Sequence, residues 1–331
     1  MSLEGGMIMK ATMKDVATLA GVGVGTVSRV INKNETVKPD TLRRVERAIK
    51  ELNYEPNEYA RGMKTRFTNT VALIIPTVWH PFFSEFAFHV ESVLNKHGYK
   101  VYICNSQGSE QREFEYIQMV KQNRVDGIIG ISYTDIDQYI DSNLPFVSID
   151  RHFTEDVMYV TSDNWKAGEL AFDELVKGGS VNLAFIGGHQ DTPNDTKQRV
   201  KSFVASAEKH NFNYKVLDMV EQITDLYQQV EAFLIANPTI DCIFAINDLL
   251  ALDVIEILND LGKRVPEDVQ VIGCDGIKLA RERDYLLSTI RQPVEAMAEK
   301  SVDMLLKTLS EEKIDKRVVL DVSFVKGDTT R

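Results

Sequence analysis

The sequence predicts an α/β protein in two unlike parts: a small three-helix domain at the N-terminus, then a large body of doubly wound parallel sheets in two lobes. Three observations predict it. Lys14 to Asn32, KDVATLAGVGVGTVSRVIN, carries Val16, Leu19, Ala20, Val22, Val27, Val30 and Ile31 at helical spacing about a glycine, Gly21. From Thr70 onward, short apolar runs alternate with amphipathic stretches at the period of βαβ units. Charge is divided as well. The 331 residues sum to −11, yet Lys10 to Arg66 hold 12 basic and 7 acidic residues, while 67–331 hold 26 basic and 41 acidic. A basic end on an acidic body suits phosphate binding by one end only.

The N-terminal elements follow in order. Residues 1–9 read as a tail or a cloning scar. Thr12, with Asp15 three residues on, approximates a capping box and starts the first helix. Gly21 makes the turn, and the second helix begins near Val24 with Gly25, Thr26, Ser28, Arg29 and Asn32 on its outward face. Small polar groups and one arginine suit the major groove of DNA, where arginine binds guanine through two hydrogen bonds. Spacing alone describes an ordinary helical hairpin equally well. Thr36 to Leu52 reads as a third helix with Pro39 in its first turn and Leu42, Val45, Ile49 and Leu52 turned inward. Pro56 ends it, giving a domain over 10–56. The next segment, 57–69, holds a helix too short to be stable alone, or a plain linker.

From Thr12 to Asn32 the chain resembles, almost continuously, the N-terminal signature of the LacI/GalR family of bacterial repressors, DVAxxAGVxxxTVSRVxN. Gly23 stands where that family usually has a serine that caps the second helix and touches a phosphate. The stretch from Asn53-Tyr54 through Pro56-Asn57 to Lys64 is similar to the family's hinge helix. That resemblance implies folding when two subunits meet on the operator, with Met63 wedged into the minor groove and Arg61 and Lys64 beside the backbone. Gly62 lowers helix propensity there by up to ~1 kcal/mol. The candidate DNA-facing set is therefore Thr12, Val24, Gly25, Thr26, Ser28, Arg29, Asn32, Tyr54, Asn57, Arg61, Met63 and Lys64, with Val24, Gly25 and Arg29 dominating base reading.

In the body, strands are expected at 71–75, 100–104, 127–131, 146–149, 183–186, 215–217, 242–246, 269–273 and 287–290, and 318–325 reads as one closing stretch. Helices are expected at 84–97, 110–122, 165–176, 198–210, 225–236, 249–261 and 294–309, with a turn-rich break near 159–163. So many strands exceed one small sheet. The body over 70–331 is read as an N-lobe (about 70–161 and 291–321) and a C-lobe (about 162–290 and 322–331).

Ligands of such sheets bind beyond the carboxyl ends of the strands. The loops in those places carry His80, Phe82 and Phe83, then Asp150-Arg151, Arg199 at the opening of a helix, Asn247-Asp248, Asp275 and Gln292. Carboxylates, amides, guanidinium groups and rings are the mixture that polyols need. The family resemblance continues through HPFF (for the usual NPFF), SIDR, SDNxxAG, AFIGG, AINDLLALDVI, VIGCDG and TIRQP. It implies a periplasmic-binding-protein-like body in which Arg199, Asn247 and Asp275 hydrogen-bond a sugar or sugar phosphate. Asp150 and Gln292 would lie beside them, with Phe82 or Phe83 lining the pocket. The aromatic residue that often closes the pocket at the start of helix 225–236 has no clear match.

Several classes are excluded. Cys104, Cys242 and Cys274 sit in or beside apolar runs, an odd count without ligand spacing, and are expected to be buried free thiols. His80, His152 and His189 lack metal-site spacing. No nucleophile elbow, P-loop or HExxH appears, so neither an enzyme nor a cofactor is expected. The start lacks a secretory pattern and no apolar run approaches ~18 residues. The expectation is a cytoplasmic, nucleoid-associated repressor of carbohydrate-utilisation genes, acting as a homodimer on a pseudo-palindromic operator. A catabolite-control type, answering to a phosphorylated carrier protein, is the alternative. A transport component sharing the two-lobed body is a third reading, against which the helix-turn-helix counts.

Overall fold

The computed structural model describes residues 11–31, 37–54, 67–122, 124–154, 156–189, 192–220, 223–280 and 282–331. The chain divides into two compact units, Met1–Thr68 and Asn69–Arg331.

The first unit contains α1 (Met13–Ala20), α2 (Val24–Ile31) and α3 (Pro39–Glu51). The capping box forms: the Thr12 N–H donates to Asp15 Oδ2 at 2.8 Å and the Asp15 N–H to Thr12 Oγ1 at 3.3 Å. Gly21 adopts φ +60, a left-handed helix stop that a side chain would strain, and Val22 N–H closes the turn on Ala17 O at 3.0 Å. The three helices pack on Val16, Val27 and Val45, all fully buried, with Ala17, Ala20, Val30, Ala48 and Tyr54 around them. Leu19, expected inside, is 46% exposed, because the buried stripe of so short a helix reaches only Val16, Ala17 and Ala20. The third helix starts at Pro39 rather than Thr36. The hinge expected at 57–64 lies outside the described residues.

The second unit holds two six-stranded sheets. The first has the order β11-β5-β4-β3-β1-β2 and is parallel throughout. Its strands are β1 (Thr70–Ile75), β2 (Lys100–Asn105), β3 (Gly127–Ile131), β4 (Phe146–Ile149), β5 (Met158–Ser162) and β11 (Arg317–Leu320). Helices α4 (Pro81–Lys96), α5 (Glu110–Lys121) and α10 (Val294–Leu309) belong to this N-lobe. The second sheet has the order β12-β10-β9-β8-β6-β7, with only β12 antiparallel. Its strands are β6 (Asn182–His189), β7 (Asn213–Val220), β8 (Cys242–Ala245), β9 (Gln270–Asp275), β10 (Thr289–Arg291) and β12 (Ser323–Val325). Helices α6 (Asn164–Lys177), α7 (Lys197–Lys209), α8 (Leu226–Ala236) and α9 (Asp248–Asp260) complete the C-lobe.

Alternation along the strands fills both faces of each sheet. In β1, Val71, Leu73 and Ile75 join one core, while Ala72 and Ile74 join the other. In β8, Ile243 and Ala245 face one way, and Cys242 and Phe244 the other. All three cysteines are buried and free. The chain crosses between lobes three times: after β5, between β10 and α10, and between β11 and β12.

Two expectations are corrected. The supposed turn-rich break at 159–163 is the fully buried strand β5, held between β4 and β11. The closing stretch at 318–325 is two strands in two different sheets, because Asp321-Val322 carries the chain across.

Candidate ligand cleft and nucleic-acid interface

A cavity of about 270 Å³ lies where the carboxyl ends of β1, β3 and β4 meet those of β6, β8 and β9. Two carboxylates enter it from strand ends at positive φ, Asp150 (+54) and Asp275 (+140). Such backbone is strained for most residues, and Asp is among the types that tolerate the left-handed region best. Asp150 Oδ1 accepts from Thr161 Oγ1 at 2.6 Å. Asp275 Oδ1 accepts from Gln292 Nε2 at 2.7 Å, and Gln292 Oε1 accepts from Ser162 Oγ at 2.7 Å. Gln292 thus links both lobes at two of the crossovers.

Arg199 opens toward these acids. Its Nε donates to Asn164 Oδ1 at 2.7 Å and its Nη1 to Ile246 O at 2.7 Å, while Nη1 stands 4.0 Å from Asp275 Oδ1. Asn164 Nδ2 donates in turn to Thr161 Oγ1 and Ser162 O. Burial pushes the Asp150 and Asp275 carboxyls above the usual range, with the Arg199 guanidinium acting against it. Close helix packing places Arg199. A Cβ at Gly168 would lie 2.1 Å from Ser202 Oγ and 2.3 Å from Arg199 O, so α6 and α7 approach this closely only with glycine there.

Two histidines face the cleft with assignable tautomers. His80 caps α4, its Nδ1 accepting from the Phe82 N–H at 3.3 Å. The proton therefore sits on Nε2, 3.9 Å from Asp275 Oδ2. Burial pushes the His80 imidazole down to about 4, so it is neutral at pH 7. His189 Nδ1 lies 2.9 Å from Asp218 Oδ1. A carboxylate can only accept, which leaves His189 Nε2 for the cleft.

A strap after β6 closes one side. Thr192 Oγ1 donates to Tyr133 O at 3.0 Å and the Asp195 N–H to Asp150 O at 2.8 Å. Asp195 also meets the Tyr159 hydroxyl and His152 Nε2, the latter at 3.3 Å. All four contacts join the C-lobe to the N-lobe.

The cavity brings together His80, Phe82, Phe83, Asp150, Arg199, Asn247, Asp275 and Gln292. Two expected members do not line it. Arg151 is turned back into the N-lobe, where it is 1% exposed. There it donates to Asp137 Oδ2 at 2.6 Å, to Thr134 O and to Ser132 Oγ, and lies over the Phe153 ring. It holds the loop that carries Tyr133. Asp248 is fully buried, accepting from the Gly276 and Ile277 N–H groups, both at 2.8 Å, and from Thr289 Oγ1 at 2.7 Å. It braces the turn after β9. Asn247 caps α9 through Oδ1, leaving its amide nitrogen to the cleft.

Sequence reasoning missed Tyr133, Asn194 and Thr196, which also line the cavity. Tyr133 follows β3, so the strand-end rule could have found it. It brings a ring to the cavity, while Tyr227, at the start of α8 where no clear match for the family's closing aromatic was found, bonds Asp260. Asn194 and Thr196 sit in a loop with no pattern to announce them. Among the described residues, no group of three or more His, Cys, Asp or Glu could hold a metal ion, and no helix is long and apolar enough to cross a membrane.

Comparison with known proteins decides the family. Residues 12–57 match the model of bacterial regulatory proteins of the lacI family, and residues 68–326 match that of periplasmic binding proteins and the sugar binding domain of the LacI family. The chain belongs to the LacI family. Among its relatives, the sucrose operon repressor of Streptococcus mutans is 33% identical over 326 residues, spanning 97% of this chain and 100% of the relative. The ribose operon repressor of Halalkalibacterium halodurans is 34% identical over 323 residues, 97% of each. A solved complex of the transcriptional regulator CelR with cellobiose superposes with a TM-score of 0.70 at 29% identity, covering 96% of this chain and 99% of that one. This LacI-family chain is accordingly a DNA-binding transcriptional regulator, in a family of repressors rather than enzymes.

Its DNA-facing candidates divide in three. On α2, Val24, Gly25 and Arg29 are exposed and Thr26 and Ser28 half-buried, with Arg29 Nε donating to Gly25 O at 3.3 Å. Val24, an apolar group at the helix start, is 44% exposed. Thr12 is exposed but tied to Asp15, and Tyr54 packs into the headpiece core instead of standing on its surface. Asn32, Asn57, Arg61, Met63 and Lys64 lie outside the described residues.

Proposed function

We propose that the protein represses a carbohydrate-utilisation operon and that a small carbohydrate bound between the lobes switches its operator affinity. The observation that carries this reading is the cleft itself, where Arg199 and two strand-end carboxylates converge at the crossovers on which the lobes turn. A ligand contacting both lobes biases their relative orientation, and a coupling of ~1–3 kcal/mol suffices for a useful switch. Operon-specific repressors among the relatives favour a local regulator over a catabolite-control type.

A homodimer is part of the proposal. The edge strands β2 and β7 expose Tyr102 and Ile103 in one lobe and Val216 and Val220 in the other, apolar edges that a second copy would cover. Two headpieces would then occupy successive major grooves of a pseudo-palindrome.

The test is selection of genomic fragments by the purified protein, followed by the same selection with Arg29→Ala. A short pseudo-palindrome beside sugar-uptake genes is expected. The variant is expected to lose ~1–3 kcal/mol at one base of each half-site. Many scattered sites would favour the catabolite-control type, and equal weakening on all sequences would make Arg29 a phosphate contact.

A further inference from the structure

We infer that the cleft takes an uncharged monosaccharide and rejects sugar phosphates, because its one fixed cation shares a small cavity with two acidic side chains. The inference rests on the carbohydrate reading above and narrows it.

Among the described residues lining the cavity, Arg199 is the only lysine or arginine. Its Nε and Nη1 are committed to Asn164 and Ile246, and Asp275 stands 4.0 Å away. Asp150 adds a second carboxylate to the same cavity. The histidines do not restore the balance. His80 remains neutral while Nδ1 accepts from the cap of α4, and His189 is matched by Asp218 at 2.9 Å. A phosphate ester would bring a charge of about −1.5 to −2 beside two acidic side chains whose burial already opposes their charge, and the one cation there is shared with them. Losing water there is costly for an unpaired ion.

Hydroxyl groups meet the opposite situation. Asp150 and Asp275 accept from them, while His80 Nε2–H, the Asn247 amide and the remaining Arg199 hydrogens donate. Phe83, with the His80 ring 4.8 Å away, offers an apolar wall for one face of a sugar ring. The volume of about 270 Å³ lies below the ~300 Å³ at which pockets for drug-sized ligands begin, and the Thr192–Asp195 strap closes one side. One ring fits that space better than two.

Titration calorimetry on the full chain at neutral pH tests this. The probes are the common free pentoses and hexoses, their 5- or 6-phosphates, and sucrose and cellobiose. The expected result is that a free monosaccharide binds and its own phosphate binds roughly 100-fold weaker or not at all. Asp275→Asn is expected to weaken the free sugar and to strengthen binding of its phosphate, with Asp150→Asn as the second variant should the first fold poorly. A role limited to holding the fold would not improve phosphate binding. A phosphate ester that binds as tightly as the free sugar, or a disaccharide that binds tighter than its components, overturns the inference and leaves the carbohydrate reading standing. If no probe of any kind binds a chain that still recognises its operator, both fall.

Discussion

The sheet orders β11-β5-β4-β3-β1-β2 and β12-β10-β9-β8-β6-β7 correspond strand for strand, and the cleft repeats that correspondence. Asp150 follows β4 and Asp275 ends β9, the same place in each sheet, both at positive φ. His189 ends β6, whereas His80 lies five residues beyond β1, at the cap of the following helix. The lobes part company in the next residues. After β3 comes Tyr133, and after β8 comes Asn247; α4 opens on Phe82 and Phe83, whereas α7 opens near Arg199. The N-lobe therefore supplies most of the apolar wall and the C-lobe the charge and amide. One backbone plan presents a carboxylate from either side, and the side chains in the neighbouring loops and helix starts make the cleft two-faced.

The means of support differ as well, and each can be broken separately. The N-lobe wall depends on a buried polar network: Arg151 with Asp137, and Glu113 accepting from Ser132 and Thr134. Arg151→Ala removes the cation at its centre and is expected to destabilise the body by about 3 kcal/mol, with weaker ligand binding through the loosened Tyr133 loop. Thermal unfolding and calorimetry read both effects; an unchanged melting temperature would mean that the network is dispensable.

The C-lobe cation depends on close helix packing. Gly168→Ala forces α6 from α7 and is expected to destabilise by about 2 kcal/mol, with ligand affinity falling further because Arg199 moves. Urea unfolding beside ligand titration checks this, and full affinity in the variant would show that Arg199 is placed by something else.

The cleft-facing His80 is tested by pH. Folding holds His80 near 4 against 6.5 unfolded, so between those values the unfolded chain binds more protons and stability falls as pH falls. By pH 5 the loss is about 2 kcal/mol. His80→Asn keeps a capping oxygen and removes the imidazole. It is expected to match the parent near pH 7.5 and to lack this part of the acid slope, measured as unfolding free energy against pH. The smallest effect belongs to the headpiece. Among the described residues, nothing lies within 4 Å of a Cβ built at Gly23, so Gly23→Ser is expected to add a few tenths of a kcal/mol through a better cap on α2. Its melting temperature relative to the parent decides.

Much of the fold was legible because its signals are local. The Thr12–Asp15 box, the left-handed glycine at 21 and the apolar runs of β1, β3 and β8 each depend on neighbours within a few residues. β5 was not legible. Its sequence, MYVTS, is short and partly polar, and it is a strand because β4 and β11 pair with it from either side, β11 from more than 150 residues away.

For the cleft, the strand-end rule and family motifs located the right loops but not the direction of each side chain. Asp150 and Arg151 are neighbours, as are Asn247 and Asp248, and in both pairs one side chain enters the cavity while the other turns into the protein. Composition, charge division, capping and strand periodicity were thus determined by the sequence itself, because each is a property of adjacent residues. Which member of each pair reaches the ligand was decided only by the tertiary structure. Asp137 and Ser132 draw Arg151 inward, and the amides of Gly276 and Ile277 hold Asp248. Those partners lie up to about 30 residues away, and an unmatched buried charge is too costly to remain once they are within reach.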